Sequence, residues 1–347
     1  MPVFAEPGAL THPLRPEQPA GVAWPTHDWP EGDPPSPRLV ELADAAFDAP
    51  DDGPWGMSLA LVVVQGGRLV LERYGPTASV DESLISWSMG KSMTQALVGI
   101  AVRDGMLDIH ERAAVPEWAD PADPRHGITL DQLLRMAGGT EFVEDYVDDQ
   151  VSHCIDMLFG AGNADMAAYT AALPAVAAPD EVFNYSSGTT NLICRILADL
   201  VGSGPDFERW MRAELLEPIG MGSSTLTFDG AGTWVGSSFL HTTAREFAKF
   251  GQLYLRDGVW DGTRLLPEGW ADYARTPRAA DEEGNVYGAH WWIWDPEAGV
   301  FACQGYETQR ILVDPGSDAV VVRLGKTPIE KAPHVDRWLK DLLATLR

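Results

Sequence analysis

The first strong pattern along the chain is a pair of apolar runs, SLALVVV and RLVLERY, separated by Gln65, Gly66 and Gly67. Both runs are rich in β-branched residues, and adjacent glycines accept the positive φ angles that a tight hairpin turn needs. The segment therefore predicts a β-hairpin. Just before it, PRLVELADAAF has apolar positions at helical spacing and predicts a helix.

From about residue 88 to residue 236 the pattern turns helical, and we find no β-rich run there. The helical stretches are MTQALVGIAVRDG, TLDQLLRMAGG, TNLICRILADLVG and DFERWMRAELLEPIG, and glycines mark several of their ends. A further helix, TTAREFAKFGQLYLRDG, precedes the strand-like runs VYGAHWWIW and ETQRILVDPGSDAVVVRLG. After them, an amphipathic helix is predicted through Val335, Trp338, Leu342 and Leu346.

This order of elements predicts an α+β fold in which the early hairpin and the late strands share one antiparallel sheet flanked by helices. Residues 38–86 and 237–347 would form an α/β lobe, and residues 87–236 an inserted all-helical lobe. A cleft would lie between the lobes. Residues 1–37 are rich in proline and glycine, which disfavours helix and ladder hydrogen bonds, so we expect an arm laid over the surface.

Charge and composition narrow the possible partners. The formal net charge is −26, so nucleic acid is an unfavourable partner. No CxxC pair, no HExxH and no histidines at ligand spacing occur, so we expect neither a metal site nor a cofactor. The N-terminal stretch lacks a cationic end followed by an apolar run, and the longest apolar run could not span a bilayer. These features predict a cytoplasmic protein without membrane contact.

The strongest chemical signal is SMGKSM, in which Ser88 and Lys91 are three residues apart. On a helix this spacing puts both side chains on one face, where a lysine kept uncharged by burial can take the serine proton. Backbone N–H groups at a helix start would also favour an oxyanion. A lone SxxK is more often a capped helix with a solvated lysine. However, the helix that follows is apolar on nearly all sides through Met89, Met93 and Leu97, so Lys91 begins a buried element.

A serine–lysine enzyme needs a third group that carries the proton to the leaving atom. The segment FNYSSGTTNLI supplies Tyr185, on a loop before a helix predicted to begin near Thr189. Taken alone, Tyr185 reads better as a half-buried loop aromatic. A catalytic role for Tyr185 is therefore supported only in combination with other motifs of the chain.

Several motifs occur in a fixed order: SMGK, TLDQLLRMAGG, YSS before a helix, TTAREFAKFGQLYLRDGVWDGTRLLPEGW and GYETQRILVDPGSDAVVVRLG. In this order the chain resembles, over roughly residues 55–345, the serine hydrolase superfamily of class C β-lactamases, DD-peptidases and family VIII esterases. EDYVDD, YSS, and WW followed by a GxxxQ segment most resemble its 6-aminohexanoate-dimer (nylon-oligomer) hydrolase branch. The resemblance implies the β-lactamase/transpeptidase-like fold.

The resemblance also implies roles for particular residues. Ser88 would be the acylated nucleophile, Lys91 its base, and Tyr185 the residue that protonates the leaving group. Gly305 and Tyr306 in CQGYETQ match a strand edge, where the Tyr306 N–H would complete an oxyanion hole with the Ser88 N–H.

Three further residues are expected at the substrate. Tyr146 in EDYVDD matches a loop tyrosine that closes over amide substrates in the nylon-oligomer branch. Ser187 stands where the YxN element of β-lactamases has asparagine. Trp292 is a candidate pocket residue because tryptophan can line an apolar cavity, although core packing explains most of the 13 tryptophans.

Departures from the β-lactamase pattern bear on the substrate. Cys303-Gln304-Gly305 replaces the KTG element, so the carboxylate-binding lysine of penicillin-recognising enzymes is missing. We interpret Lys326-Thr327, which precedes Pro328, as a strand end and not as that element.

The sequence thus predicts a serine hydrolase that forms an acyl-enzyme on a small ester or amide, either a carboxylesterase or a 6-aminohexanoate-dimer-hydrolase-like amidase. Two alternatives stay open. One is a β-lactamase or D-amino-acid peptidase, and the other is a non-catalytic binding protein on the same fold.

Overall fold

A computed structural model of the protein describes residues 15–146 and 152–347. Within these ranges the strands are β1 (Met57–Gln65), β2 (Arg68–Tyr74), β3 (Leu84–Ile85), β4 (Thr225–Leu226), β5 (Leu240–Thr242), β6 (Val259–Trp260), β7 (Thr263–Arg264), β8 (Ala279–Ala280), β9 (Val286–Tyr287), β10 (Trp292–Asp295), β11 (Val300–Gly305), β12 (Gln309–Asp314) and β13 (Ala319–Lys326). The α-helices are α1 (Pro37–Phe47), α2 (Gly90–Arg103), α3 (Leu130–Leu134), α4 (His153–Phe159), α5 (Met166–Ala171), α6 (Ser187–Val201), α7 (Pro205–Met211), α8 (Ala244–Leu255), α9 (Trp270–Arg275) and α10 (Ala332–Ala344).

One antiparallel sheet of eight strands carries the fold, in the order β2-β1-β13-β12-β11-β10-β9-β8. The predicted hairpin is confirmed: β1 pairs with β2, and the turn residues Gly66 and Gly67 have φ of 57° and 70°. Positive φ at both positions matches the right-handed twist of the flanking strands. The early hairpin and the late strands therefore meet in a single sheet, as the sequence predicts.

The sheet is covered on both faces, which explains why β1 is apolar throughout its centre and does not alternate with polar residues. Leu61 and Val63 belong to a core that also contains residues of α1 and α10. Ala60, Val62 and Val64 point the other way, into the larger core with α2, α6 and α8. The first and last helices thus lie on one face, and the helix that leads to the candidate site lies on the other.

The middle of the chain is mainly helical around α2 and α6, which pack against each other. Every residue from Gly90 to Ala101 is buried, so α2 is a core helix. In the described residues from 88 to 236, one short strand is added to the helices. Thr225–Leu226 forms β4, which pairs with β5 in a small three-stranded sheet that also contains β3. The division into two lobes stays a prediction.

The proline-rich segment contains no helix between residues 15 and 36, and residues 1–14 lie outside the described ranges. The expectation that this segment makes no ladder hydrogen bonds is wrong at one point. Gly32 N–H donates to the Leu69 carbonyl at 2.7 Å, and Leu69 N–H donates to the Pro30 carbonyl at 2.8 Å. A short bridge to the outer strand β2 therefore fastens the segment.

Candidate active site

Ser88 lies in a short 3-10 helix, Trp87–Met89, immediately before α2. The entry to this turn is fixed by Ser86, whose N–H donates to the Leu240 carbonyl at 2.8 Å and whose hydroxyl accepts from the Leu240 N–H at 3.2 Å. Trp87 has φ of 43°, a left-handed conformation that is unfavourable for a large side chain. The sequence expects Ser88 in the first α-helical turn, whereas the structure places it just ahead of that turn.

Lys91 is buried, with 1% of its surface exposed, and its amine points toward Ser88. Its Nζ donates to Ser88 Oγ at 3.0 Å, to Ser187 Oγ at 2.9 Å and to the Ser237 carbonyl at 3.2 Å. These acceptors come from three separate parts of the chain, and together they fix the position of the amine. The two residues of the SxxK motif are therefore in direct contact.

Tyr185 lies on the loop before α6, and the Lys91 Nζ sits 4.8 Å from the centre of its ring. Burial raises the pKa of Tyr185, while Lys91 and a hydrogen bond with Ser88 act to lower it. The structure thus brings Ser88, Lys91 and Tyr185 together. The helix that follows begins at Ser187, slightly earlier than predicted.

Glu144 is the site residue that sequence reasoning missed, because it lies in an acidic run that reads as a solvated loop. Its carboxylate accepts from the Ser187 N–H at 2.7 Å, the Ser187 hydroxyl at 2.5 Å and the Tyr146 hydroxyl at 2.8 Å. It also lies 4.0 Å from Lys91 Nζ, with 9% of its side chain exposed. Glu144 therefore links Tyr146 to Ser187 and provides a negative charge beside the lysine.

A cavity of about 310 Å³ opens beside Ser88. Its described lining residues are Trp87, Ser88, Tyr146, Cys154, Ile155, Leu158, Phe159, Ser187, Ser238 and Tyr306. None of these residues carries a formal charge at neutral pH, and most of them are apolar or aromatic. The rings of Tyr146 and Tyr306 are 5.1 Å apart and partly exposed, so they form part of the rim.

The Cys154 thiol also lines this cavity. Cysteine acts as a nucleophile when it is deprotonated to the thiolate. Burial and the nearby Glu144 carboxylate raise the pKa of Cys154. Its Sγ lies 3.6 Å from Glu144 Oε1. A thiol with a raised pKa holds little thiolate at neutral pH, so this cysteine is a poor competitor for Ser88.

The two segments expected to form the oxyanion hole are in contact. Gly305, the last residue of β11, approaches the backbone before Ser88 so closely that an added Cβ would lie 2.5 Å from the Ser86 carbonyl oxygen. It would also lie 3.2 Å from Trp87 Cβ. Only glycine permits this approach, which brings Tyr306, the next residue, beside the Ser88 turn.

Trp292 is not among the residues that line the cavity beside Ser88. Its ring packs instead against Tyr185, with 5.3 Å between the ring centres, and against Tyr287, with 4.7 Å. Trp292, the predicted pocket residue, thus packs against Tyr185 and does not line the cavity. The Lys326-Thr327 pair, which resembles part of a KTG element, lies at the end of β13. The Thr327 hydroxyl there donates to the Trp55 carbonyl at 2.6 Å.

Across residues 15–146 and 152–347, no group of three or more His, Cys, Asp or Glu side chains could hold a metal ion. Within the same ranges, none of the helices has the length and apolarity needed to cross a membrane.

A model of the family described as Beta-lactamase matches residues 43–346. A 6-aminohexanoate-dimer hydrolase from Paenarthrobacter ureafaciens is 25% identical over 300 residues, which cover 79% of this chain and 74% of that protein.

Solved structures of similar fold include a Bacillus anthracis protein that bears the name 6-aminohexanoate-dimer hydrolase. It has a TM-score of 0.75 and 22% identity, and the match covers 94% of this chain and 88% of that one. A family VIII carboxylesterase has a TM-score of 0.69 and 14% identity, over 90% of this chain and 99% of that one. A penicillin-binding protein homologue from Caulobacter crescentus has a TM-score of 0.68 and 15% identity, with the same coverage.

These matches confirm the expected α+β fold of the β-lactamase/transpeptidase type. The family match also extends over both parts of the sheet and over the helical region between them. The chain therefore belongs to the beta-lactamase family of serine hydrolases.

Proposed function

We propose that this protein hydrolyses small esters or amides through an acyl-enzyme on Ser88, without a cofactor. The observation that carries the proposal is the 3.0 Å contact between the buried Lys91 Nζ and Ser88 Oγ. In its uncharged form Lys91 can remove the serine proton, and the Glu144 carboxylate lies 4.0 Å from the amine that receives it.

In the proposed reaction, Ser88 is first acylated by the substrate and the acyl-enzyme is then hydrolysed. Ser88 Oγ bonds to the substrate carbonyl carbon, and the carbonyl oxygen becomes an oxyanion held by the N–H groups of Ser88 and Tyr306. As the bond to the leaving alcohol or amine breaks, Tyr185 gives that group a proton and is reprotonated from Lys91. Water attacks the acyl-enzyme by the same route in reverse, which releases the acid and restores Ser88.

The cavity supports an uncharged substrate. Its lining includes Ile155, Leu158 and Phe159, and no basic side chain occurs among its described lining residues. An anionic substrate would therefore lose hydration without gaining a cationic partner, which is unfavourable. This disfavours the β-lactamase alternative, whose substrates carry a carboxylate. Among the named relatives, the family VIII carboxylesterase supports an ester and the 6-aminohexanoate-dimer hydrolase supports an amide bond, although the dimer itself also carries a carboxylate.

The hydrogen bond between Lys91 and Ser88, with the Tyr185 ring centre 4.8 Å from the amine, also disfavours a non-catalytic binding protein, which would have no use for a buried lysine bonded to a serine. The cytoplasmic location stays a prediction from the sequence.

Replacing the nucleophile tests the proposal. We expect Ser88→Ala to lower kcat for p-nitrophenyl butyrate by a factor on the order of a thousand or more, and to abolish labelling by a fluorophosphonate. Ser83→Ala is the matched control, because Ser83 is an exposed serine of the same segment and should retain both activities. Retained hydrolysis and labelling in Ser88→Ala would exclude Ser88 as the nucleophile.

Replacing the base tests the role of Lys91. We expect Lys91→Arg to lose at least about a hundredfold in kcat, because a guanidinium stays charged and cannot take the serine proton. The measurement is steady-state hydrolysis across pH 6 to about 10, with circular dichroism to confirm folding. A variant with wild-type rates would show that an uncharged amine is not required.

The charge of the substrate gives a further prediction. We expect kcat/KM for p-nitrophenyl butyrate to exceed that for the mono-p-nitrophenyl ester of glutaric acid by about tenfold or more. The cavity offers no cation to the free carboxylate of the glutaric ester. Phe159→Arg places a cation at the exposed rim and should narrow this ratio. Equal or better turnover of the anionic ester by the wild type would contradict a cavity selective for uncharged groups.

A further inference from the structure

The turn that follows Gly305 has an unusual backbone. It joins β11 to β12 through Tyr306–Thr308, and both Glu307 and Thr308 are left-handed, with φ of 59° and 62°. A residue other than glycine is strained in this conformation, and Thr308 is β-branched, which adds to the strain. A turn of this kind persists only where its surroundings hold it in place.

The buried guanidinium of Arg323, on β13, provides much of that support. Its Nη1 donates to the Glu307 carbonyl at 3.1 Å and the Thr308 carbonyl at 3.2 Å, and also to the Thr308 hydroxyl. Its Nη2 donates to the Trp55 carbonyl at 2.9 Å and the Thr327 hydroxyl at 2.8 Å. One side chain thus ties both left-handed residues to the centre of the sheet.

Two neighbouring residues complete this support. The Gln309 amide donates to the Gly325 carbonyl at 2.6 Å and accepts from the Gly325 N–H at 3.0 Å, so a side chain fastens the start of β12 to β13. Gly325 also leaves room for the guanidinium, since a Cβ there would lie 2.4 Å from Arg323 Nη2. The last residue of the GxxxQ segment, Gln309, therefore has a structural role in this turn.

The same turn is tied to the nucleophile segment. Trp87, the strained residue before Ser88, donates its indole N–H to the Glu307 carboxylate at 3.3 Å. Arg323 thus holds Glu307 by its backbone, while Trp87 holds it by its side chain. The two segments that carry the proposed oxyanion donors are joined at Glu307.

We propose that Arg323 is a positioning residue that holds the left-handed 306–308 turn, and thereby aims the Tyr306 N–H at the oxyanion beside Ser88. This inference rests on the proposed function. Arg323 does not line the cavity and acts through the backbone of the turn. Among the described residues, no acidic side chain forms an ion pair with it, and main-chain carbonyls and threonine hydroxyls take its hydrogen bonds.

The choice of arginine fits this role. A guanidinium presents several donors in a rigid plane and can bind carbonyls on both sides at once, which a lysine cannot do. A buried charge without a carboxylate partner is unfavourable for stability, so a role in fixing the turn explains its presence better than a contribution to folding.

The test compares Arg323→Met with Arg256→Met. Arg256 is a matched control because its side chain is equally buried, with 1% exposed, and forms an ion pair with Asp318. Neither Arg256 nor Asp318 lines the cavity beside Ser88, and both are far from Ser88 in the sequence. Fluorophosphonate labelling counts the folded active enzyme in each sample. We expect Arg323→Met to lower kcat by about tenfold to a hundredfold with KM changed much less, because a displaced oxyanion donor loses part of the roughly hundredfold to thousandfold effect of a deleted one. Arg256→Met should keep kcat per labelled site, and Arg323→Lys should fall between Arg323→Met and the wild type.

Thr308→Gly provides a second variant in case Arg323→Met does not fold. Glycine adopts φ of 62° without strain, so this protein should fold, but it loses the hydroxyl that Arg323 holds. We expect a severalfold loss in kcat without a lower thermal midpoint. Unchanged kcat in Thr308→Gly, or in a folded and labelled Arg323→Met, would overturn the positioning role while leaving the proposed function intact. A wild type that is neither labelled nor active would overturn both.

Discussion

The hydrogen bond between Lys91 Nζ and Ser88 Oγ is the contact on which the rest of the site depends. It exists because α2 is buried along almost its whole length and enters the core directly after the Ser88 turn. The amine is held by Ser187 and Ser237 as well as by Ser88, so three parts of the chain must fold correctly before it points at Ser88.

Two different surroundings meet at this contact: a negatively charged carboxylate on one side and a cavity lined by uncharged residues on the other. Glu144 brings a negative charge to Lys91 and anchors Tyr146 and Ser187, whereas the cavity next to them is lined by uncharged residues. The charged Glu144 thus contacts other protein groups, whereas the described lining of the cavity beside Ser88 is mostly apolar. This arrangement agrees with the loss of the KTG lysine and separates the proposed function from penicillin recognition.

The sequence predicted those features that depend on local spacing. The hairpin followed from Gly66 and Gly67, and the serine–lysine contact followed from a three-residue separation on a buried helix. Glu144 and Arg323 could not be predicted, since their partners are distant in the sequence: Glu144 bonds to Ser187, and Arg323 bonds to Trp55. Trp292 was expected in the pocket because of its residue type, but the register of β10 against β9 and β11 places it behind Tyr185.

The most direct test of the account is to identify the acylated atom during turnover and to ask whether it depends on the amine of Lys91. The reaction with p-nitrophenyl butyrate is quenched in acid within one turnover, and the peptides are analysed by mass spectrometry. The account predicts a butyryl group on Ser88 in the wild type and none above background in Lys91→Met. A butyryl group on Cys154, or equally fast acylation of Ser88 without the lysine amine, would contradict it.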